Sequence, residues 1–300
     1  MSSMSSPPAT PPSPDPPPAP STPSPTIGAP GEPGSGHLPA MADRSASAGI
    51  AHSPEGRRTV GMLALVLLAI AGLSAVAVWG AGEILEAVGE RDGVALWDRP
   101  VLDWAIGQRR PGPVSALLWF TNAGGPIWQP IIMAALALFL WWRWRNPTPF
   151  VLIAMAEVGA VLISSTTKRV VDRARPPQID AVPPFEVSPS FPSGHTMQAF
   201  AAATIIAYLL IRYLWDRPRW LQAMIAVLAL AYACLMGFSR VFLGYHWLTD
   251  VLAAAMLGIA WSAVVIACHR VWLRHSRSRP RQRLEHRTAR SSDPDDTMTA

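Results

Sequence analysis

The chain has 300 residues, half of them apolar and only 15 % charged, with a formal net charge of +5. Thirteen tryptophans and a mean hydropathy of +0.23 argue against a water-soluble globular domain, which carries more charge than this. Cys234 and Cys268, the two cysteines, both lie inside apolar runs, which excludes a disulfide framework or thiolate metal centre and leaves them as packing residues.

The first 54 residues hold 15 of the 31 prolines and almost nothing apolar to bury, so this arm is expected to be disordered or extended. It has no basic start running directly into an apolar stretch with a small-residue cleavage site. It does not read as a signal peptide, and the first apolar run is expected to insert uncleaved.

A helix rises about 1.5 Å per residue and the hydrocarbon core is about 30 Å thick, so a span needs about 20 mostly apolar residues. Six runs approach this, at 60–81, 125–142, 150–167, 197–214, 220–238 and 251–272. The fold class expected is therefore all-α: a polytopic membrane protein with a six-helix bundle over 55–272 and disordered termini. The second to fourth runs are short, which suggests a tight bundle or displaced boundaries. Between the first two, "RPVLDWAIGQRRPGPVSALLWFTNAGG" is amphipathic and is expected at the interface, as an anchor or a guide for lipid. Trp79, Trp141, Trp142, Trp144, Trp220 and Trp272 fall near the ends of the runs, where indoles suit the headgroup region. The tail, 273–300, starts strongly basic and finishes acidic; it is expected to be disordered and to meet anionic lipid rather than nucleic acid.

Six spans put both termini on one side. That side carries 16 of the 25 basic residues, among them Arg57, Arg58, Arg143, Arg145, Arg217 and Arg219, and the positive-inside tendency makes it cytoplasmic. Every candidate for chemistry but one, Glu157, falls in the opposite loops or at helix ends on that side, so the protein is expected in the cell membrane with an extracytoplasmic site.

Those candidates follow in chain order. Glu157 lies in the middle of the third span, where an ionisable group is costly and marks either function or an internal pair. At the outer end of that span stand Lys168, the only lysine in the chain, and Arg175 seven residues on. Their neighbours Arg169 and Arg173 read as headgroup contacts. Glu186, nine residues before His195, can steer a headgroup or couple to a catalytic histidine. In "FPSGHT", Ser193 is expected to cap the fourth span while the amides of Gly194 and His195 point at an anion. In "SRVFLGYHWLTD", Arg240 closes the fifth span, and His246 and Asp250 share a face of the sixth if that helix begins before them.

These residue types suit phosphoryl transfer, in which negative charge spreads over three oxygens and catalysis is mostly positioning and electrostatics. Lys168, Arg175 and Arg240 supply three positive charges, the arginines as planar forks and the lysine as a compact donor. Asp250 can hold the Nδ1 proton of His246 and leave Nε2 free to attack, giving a phosphohistidine. His195 can protonate the leaving oxygen and later activate water.

The three segments fit K-x6-R-P, P-S-G-H and S-R-x5-H-x3-D in order, and the chain thereby resembles the type 2 phosphatidic acid phosphatase superfamily, to which glucose-6-phosphatase and the vanadium-dependent haloperoxidases also belong. The resemblance covers 168–250 by motif and 60–272 by layout. It implies phosphate binding by Lys168, Arg175, Ser193, Gly194 and Arg240, with His195 as acid and base, His246 as nucleophile and Asp250 as its partner. It further implies a lipid phosphatase with no metal and no cofactor, acting on phosphatidic acid, phosphatidylglycerol phosphate or polyprenyl pyrophosphate types of substrate. The haloperoxidase branch is soluble, which six spans exclude. A lipid phosphotransferase using the same site, and a non-catalytic lipid-phosphate binder or transporter, are the alternatives; a binder needs the cations but not His246. The sequence does not fix the oligomeric state.

Overall fold

The computed structural model describes residues 54–291. The proline-rich arm, apart from Pro54, and the last residues of the tail lie outside the described residues. Eight α-helices follow one another: α1 (Pro54–Glu90), α2 (Asp98–Gly107), α3 (Pro111–Ala123), α4 (Trp128–Trp144), α5 (Thr148–Val171), α6 (Gly194–Tyr213), α7 (Arg219–Phe242) and α8 (Leu248–Ser291). No strand occurs among the described residues.

Five helices are long and apolar enough to cross a membrane: those holding Ala64–Glu90, Thr148–Val171, Gly194–Tyr213, Arg219–Phe242 and Leu248–Arg274. The second expected span, 125–142, differs from its sequence reading. It is a broken one, in which α3 and α4 meet at a 57° bend. The bend falls on Gly124, Gly125 and Pro126, where proline removes a helix donor and pushes the residue before it out of the α region. The amphipathic stretch before it is likewise two helices, and α2 buries Asp98, Leu102 and Ala105.

Two boundaries also move. Helix α1 runs to Glu90, nine residues past the expected end, so exposed Trp79 lies within the span instead of at its edge. Helix α8 runs past Trp272 to Ser291, so residues 273–291, expected to lack structure, are helical. Arginine, glutamine and leucine are good helix formers, and leaving the apolar layer does not by itself stop a helix.

The core is built around α6. Its Met197, Ala201, Ala202, Ile205 and Leu209 pack against Leu152, Ile153, Ala156 and Ala160 of α5, Met133 and Ala137 of α4, and Ala254 and Val265 of α8. In lipid there is no hydrophobic drive between helices, so close packing of small side chains holds them. Gly258 of α8 shows how close: a Cβ there would stand 2.7 Å from the Met197 carbonyl oxygen. Helix α1 lies along α8. Leu65, Leu68 and Val76 of α1 and Leu228 and Leu230 of α7 face outward, as lipid-facing side chains do. This packing brings the C-terminal ends of α5 and α7 to the N-terminal starts of α6 and α8, at one end of the bundle.

Candidate active site

The turn between α7 and α8 delivers His246. The carbonyl of Arg240 accepts from the amides of Tyr245 and His246 at 3.0 and 3.2 Å. The turn needs Gly244 at φ +79°, because a Cβ there would run into the Asp180 carbonyl. Helix α8 begins at Leu248, so His246 precedes it and does not share a helical face with Asp250 as the spacing suggests. Asp250 reaches back instead. Its Oδ2 accepts the Trp247 amide at 2.9 Å, which caps the helix start as the acidic half of a capping box does. The same oxygen stands 3.4 Å from His246 Nδ1.

Around Asp250 the polar groups are paired and buried. The Ser190 hydroxyl donates to its Oδ2 and lies 3.4 Å from His246 Nδ1. Arg173 donates to Asp250 at 2.5 Å and to Asp98 at 2.6 Å. Asp98 also accepts from the amide and hydroxyl of Thr249, at 2.9 and 2.7 Å. Asp98, Ser190, Thr249, Asp250 and His246 are all buried. Arg173 is therefore no headgroup contact but a clamp between two carboxylates. Arg169, four residues earlier, stays exposed at the end of α5.

Nε2 of His246 faces the cations. Arg175 approaches it at 3.2 Å, and since a guanidinium only donates, Nε2 presents its lone pair. Arg175 is itself held by the carbonyls of Ser188 and Tyr245, both at 2.6 Å, and by the Ser188 hydroxyl at 2.9 Å. Lys168, in the last turn of α5, donates to the Pro189 carbonyl. Burial holds the His246 pKa well below its ordinary value, Arg175, Arg240 and Lys168 push it the same way, and Glu186 opposes them. The imidazole is thus neutral at neutral pH.

Arg240 is almost wholly buried, stacks 4.4 Å from the Tyr245 ring and donates to Thr121 at 2.9 Å, while its Nε finds no acceptor. Glu186 bridges it to Arg175, pairing with both guanidiniums. Burial alone would raise the Glu186 carboxyl, but Arg240, His246, Arg175 and His195 outweigh it and bring it down to about 2. Glu186 thus sets one carboxylate oxygen on each of two guanidiniums.

Ser193 precedes α6 but does not cap it with its side chain. Its hydroxyl accepts from Thr196 at 2.9 Å, and its amide donates to the Asp250 carbonyl at 3.2 Å, so it ties α6 to α8. The amides of Gly194 and His195 are first-turn donors without an intrahelical acceptor. His195 is half-buried, and a Cβ on Gly125, at the α3–α4 bend, would stand 3.6 Å from its Nε2. The bend thus forms part of the wall beside His195.

Lys168, Arg175, Ser193, Gly194, His195, Arg240, His246 and Asp250 meet at this end of the bundle, with Glu186 among them. Glu157 does not. It sits eleven residues before Lys168 on α5, about 16 Å along the helix, and its carboxylate accepts from Gln129 Nε2 at 3.3 Å. Arg173, Asp98, Ser190 and Thr121 are the members that the sequence reading missed.

A helical bundle able to cross a membrane five or six times, with an imidazole set between a carboxylate and a group of cations at one end, is that of a multi-pass membrane protein. A family model described as "PAP2 superfamily" matches residues 149–274. Phosphatidylglycerophosphatase B of Escherichia coli K12 is 30 % identical over 225 residues, covering 58 % of this chain and 83 % of that protein. Phosphatidylglycerophosphatase B of Bacillus subtilis 168 is 39 % identical over 98 residues, covering 33 % of this chain; the match spans about half, 47 %, of that relative's length. The crystal structure of a transmembrane PAP2-type phosphatidylglycerolphosphate phosphatase from Bacillus subtilis shares the fold, with a TM-score of 0.59 at 23 % identity over 66 % of this chain and 96 % of that one. The chain belongs to the PAP2 superfamily.

Proposed function

We propose that this protein is a lipid phosphatase that works through a phosphohistidine on His246. The observation that carries the reading is the 3.2 Å approach of Arg175 to His246 Nε2, which sets a neutral nucleophile's lone pair at the edge of the cation group. The lipid phosphate displaces Glu186 from Arg175 and Arg240, and Lys168 and the amides of Gly194 and His195 complete its cradle. Nε2 attacks phosphorus, the bond from phosphorus to the lipid oxygen breaks, and His195 gives that oxygen its proton. Asp250 stabilises the positive charge that develops on the imidazole. Water, losing a proton to His195, then cleaves the P–N bond and frees inorganic phosphate.

Three cations supply the charge stabilisation that a metal gives in other phosphatases, so turnover is expected to persist in excess chelator. The relatives' names support a glycerophospholipid monoester, such as phosphatidylglycerol phosphate, as the first substrate to assay. The distribution of arginines supports an extracytoplasmic site with both termini in the cytoplasm. The test uses purified protein and lipid labelled in its phosphate. Free phosphate is expected as the product, with a labelled protein that is lost in His246→Ala. Label that moves to another lipid with no phosphate released would overturn hydrolysis, and turnover retained in His246→Ala would overturn the nucleophile.

A further inference from the structure

A second polar pocket lies at the other end of the same helices. It is formed by the end of α4, the start of α5, the end of α6 and α8, with a volume of about 590 Å³. Thr148, which lines it, and Lys168 are twenty residues apart on α5, so it sits about 30 Å from the catalytic end. Arg143, Arg212 and His269 line it, and no carboxylate does. The contrast with Arg175 and Arg240, which share Glu186, is direct.

His269 is 6 % exposed, and its Nε2 has no hydrogen-bond partner among the described residues. Its Nδ1 meets the Tyr208 hydroxyl at 2.9 Å. With the phenol donating to Nδ1, the ring proton sits on Nε2 and is left to donate to a ligand. The N-terminus of α5 adds a partial positive charge. Aromatic rings frame the pocket: Trp144 stacks on Tyr213 at 4.5 Å, and Trp272 lies over His269 at 6.1 Å. Trp272 and Tyr213 are also exposed to the surroundings, as aromatics at the headgroup level are.

Two guanidiniums with no acidic partner among the described residues, an unused buried donor and a helix start fit a phosphate group. The aromatic frame and the position at the membrane end of a helical bundle fit a lipid as its carrier. We propose that this pocket binds the phosphodiester headgroup of an anionic phospholipid in the leaflet opposite the catalytic one. Such a ligand would tie α4, α5, α6 and α8 together at the end where no catalytic network joins them, in the manner of basic pockets between transmembrane helices.

The test measures lipid retention by the full-length protein in neutral detergent, by native mass spectrometry, with phosphatidylglycerol and phosphatidylcholine. The protein is expected to retain phosphatidylglycerol at least about tenfold more strongly, and Arg143→Gln with Arg212→Gln to remove at least about tenfold of that affinity, as loss of charge-assisted bonds does. His269→Phe, which keeps a ring beside Trp272 but removes the donor, is expected to lose a few-fold. Phosphate release at the catalytic end serves as the control that each variant is folded. Unchanged phosphatidylglycerol retention in the folded double variant would overturn the site. Equal retention of phosphatidylcholine, or displacement of the lipid by millimolar inorganic phosphate, would overturn the assignment to an anionic lipid.

Discussion

The two nitrogens of the His246 ring face surroundings of opposite charge balance. On the Nδ1 side one arginine, Arg173, answers two carboxylates, Asp98 and Asp250, and both acids are buried. On the Nε2 side Arg175 and Arg240, with Lys168 close by, share one carboxylate, Glu186, which is 30 % exposed. The first side is complete without a ligand. The second carries a surplus of positive charge that an incoming anion balances. Buried, fully paired charges fix geometry, and breaking one such pair is costly because the partner is left alone; the half-open cluster is where we propose that binding takes place.

The contrast breaks most completely at the ring itself. His246→Ala is expected to lower turnover by on the order of 10⁵-fold, the scale of losing a nucleophile in comparable hydrolases, measured as phosphate release from mixed micelles. Asp250→Asn removes the anchor on the Nδ1 side and is expected to cost about 10³-fold, by analogy with the orienting aspartate of a triad. Asp98→Asn tests whether the clamp works through Arg173. Turnover is expected to fall about tenfold with KM unchanged, and a rise in KM alone would mean that Asp98 serves binding instead.

On the Nε2 side the effects are smaller and differ in sign. Lys168→Arg keeps the charge but replaces a compact ammonium with a planar fork, and KM is expected to rise about tenfold; an unchanged KM would make the single lysine dispensable. Glu186→Gln releases two arginines from their internal anion, so vanadate inhibition is expected to tighten a few-fold. Weaker inhibition would show that Glu186 supports anion binding rather than competing with it. The smallest effect is expected from pH. Burial and the neighbouring cations hold His246 neutral well below its ordinary range, so lowering the pH through about 6.5 does not protonate the nucleophile. Single-turnover formation of phosphohistidine is expected to change less than about twofold between pH 7 and 5.5, and an acid limb near 6.5 would mean that the ring is charged before attack.

The Nε2 side was the legible half. Lys168, Arg175, Arg240 and His246 belong to short patterns whose residue types state their chemistry, and helix ends distant in sequence were the natural places for them to meet. The Nδ1 side was not. Asp98 lies 75 residues before Arg173, in a helix whose composition reads as an ordinary interfacial one, and no local rule links the two. Ser190 stands three residues before the P-S-G-H serine and looks like loop. Ser193 was expected to cap because serine before a helix usually does; Thr196 takes its hydroxyl instead. The bend between α3 and α4 was hidden for a different reason, since hydropathy averages composition over a window and has no sense of direction. Gly124, Gly125 and Pro126 were the signal there.

That bend has a bearing on the lipid around the protein. Helix α4 has only 17 residues, about 26 Å of rise, against a hydrocarbon layer of about 30 Å. On its own it falls short of a span, so the crossing needs α3 as well, joined to α4 at the 57° bend. The break therefore falls within the crossing itself, at Gly125 beside His195. Under the proposed function, a lipid phosphate bound for His246 would pass this broken wall rather than the side of one straight helix.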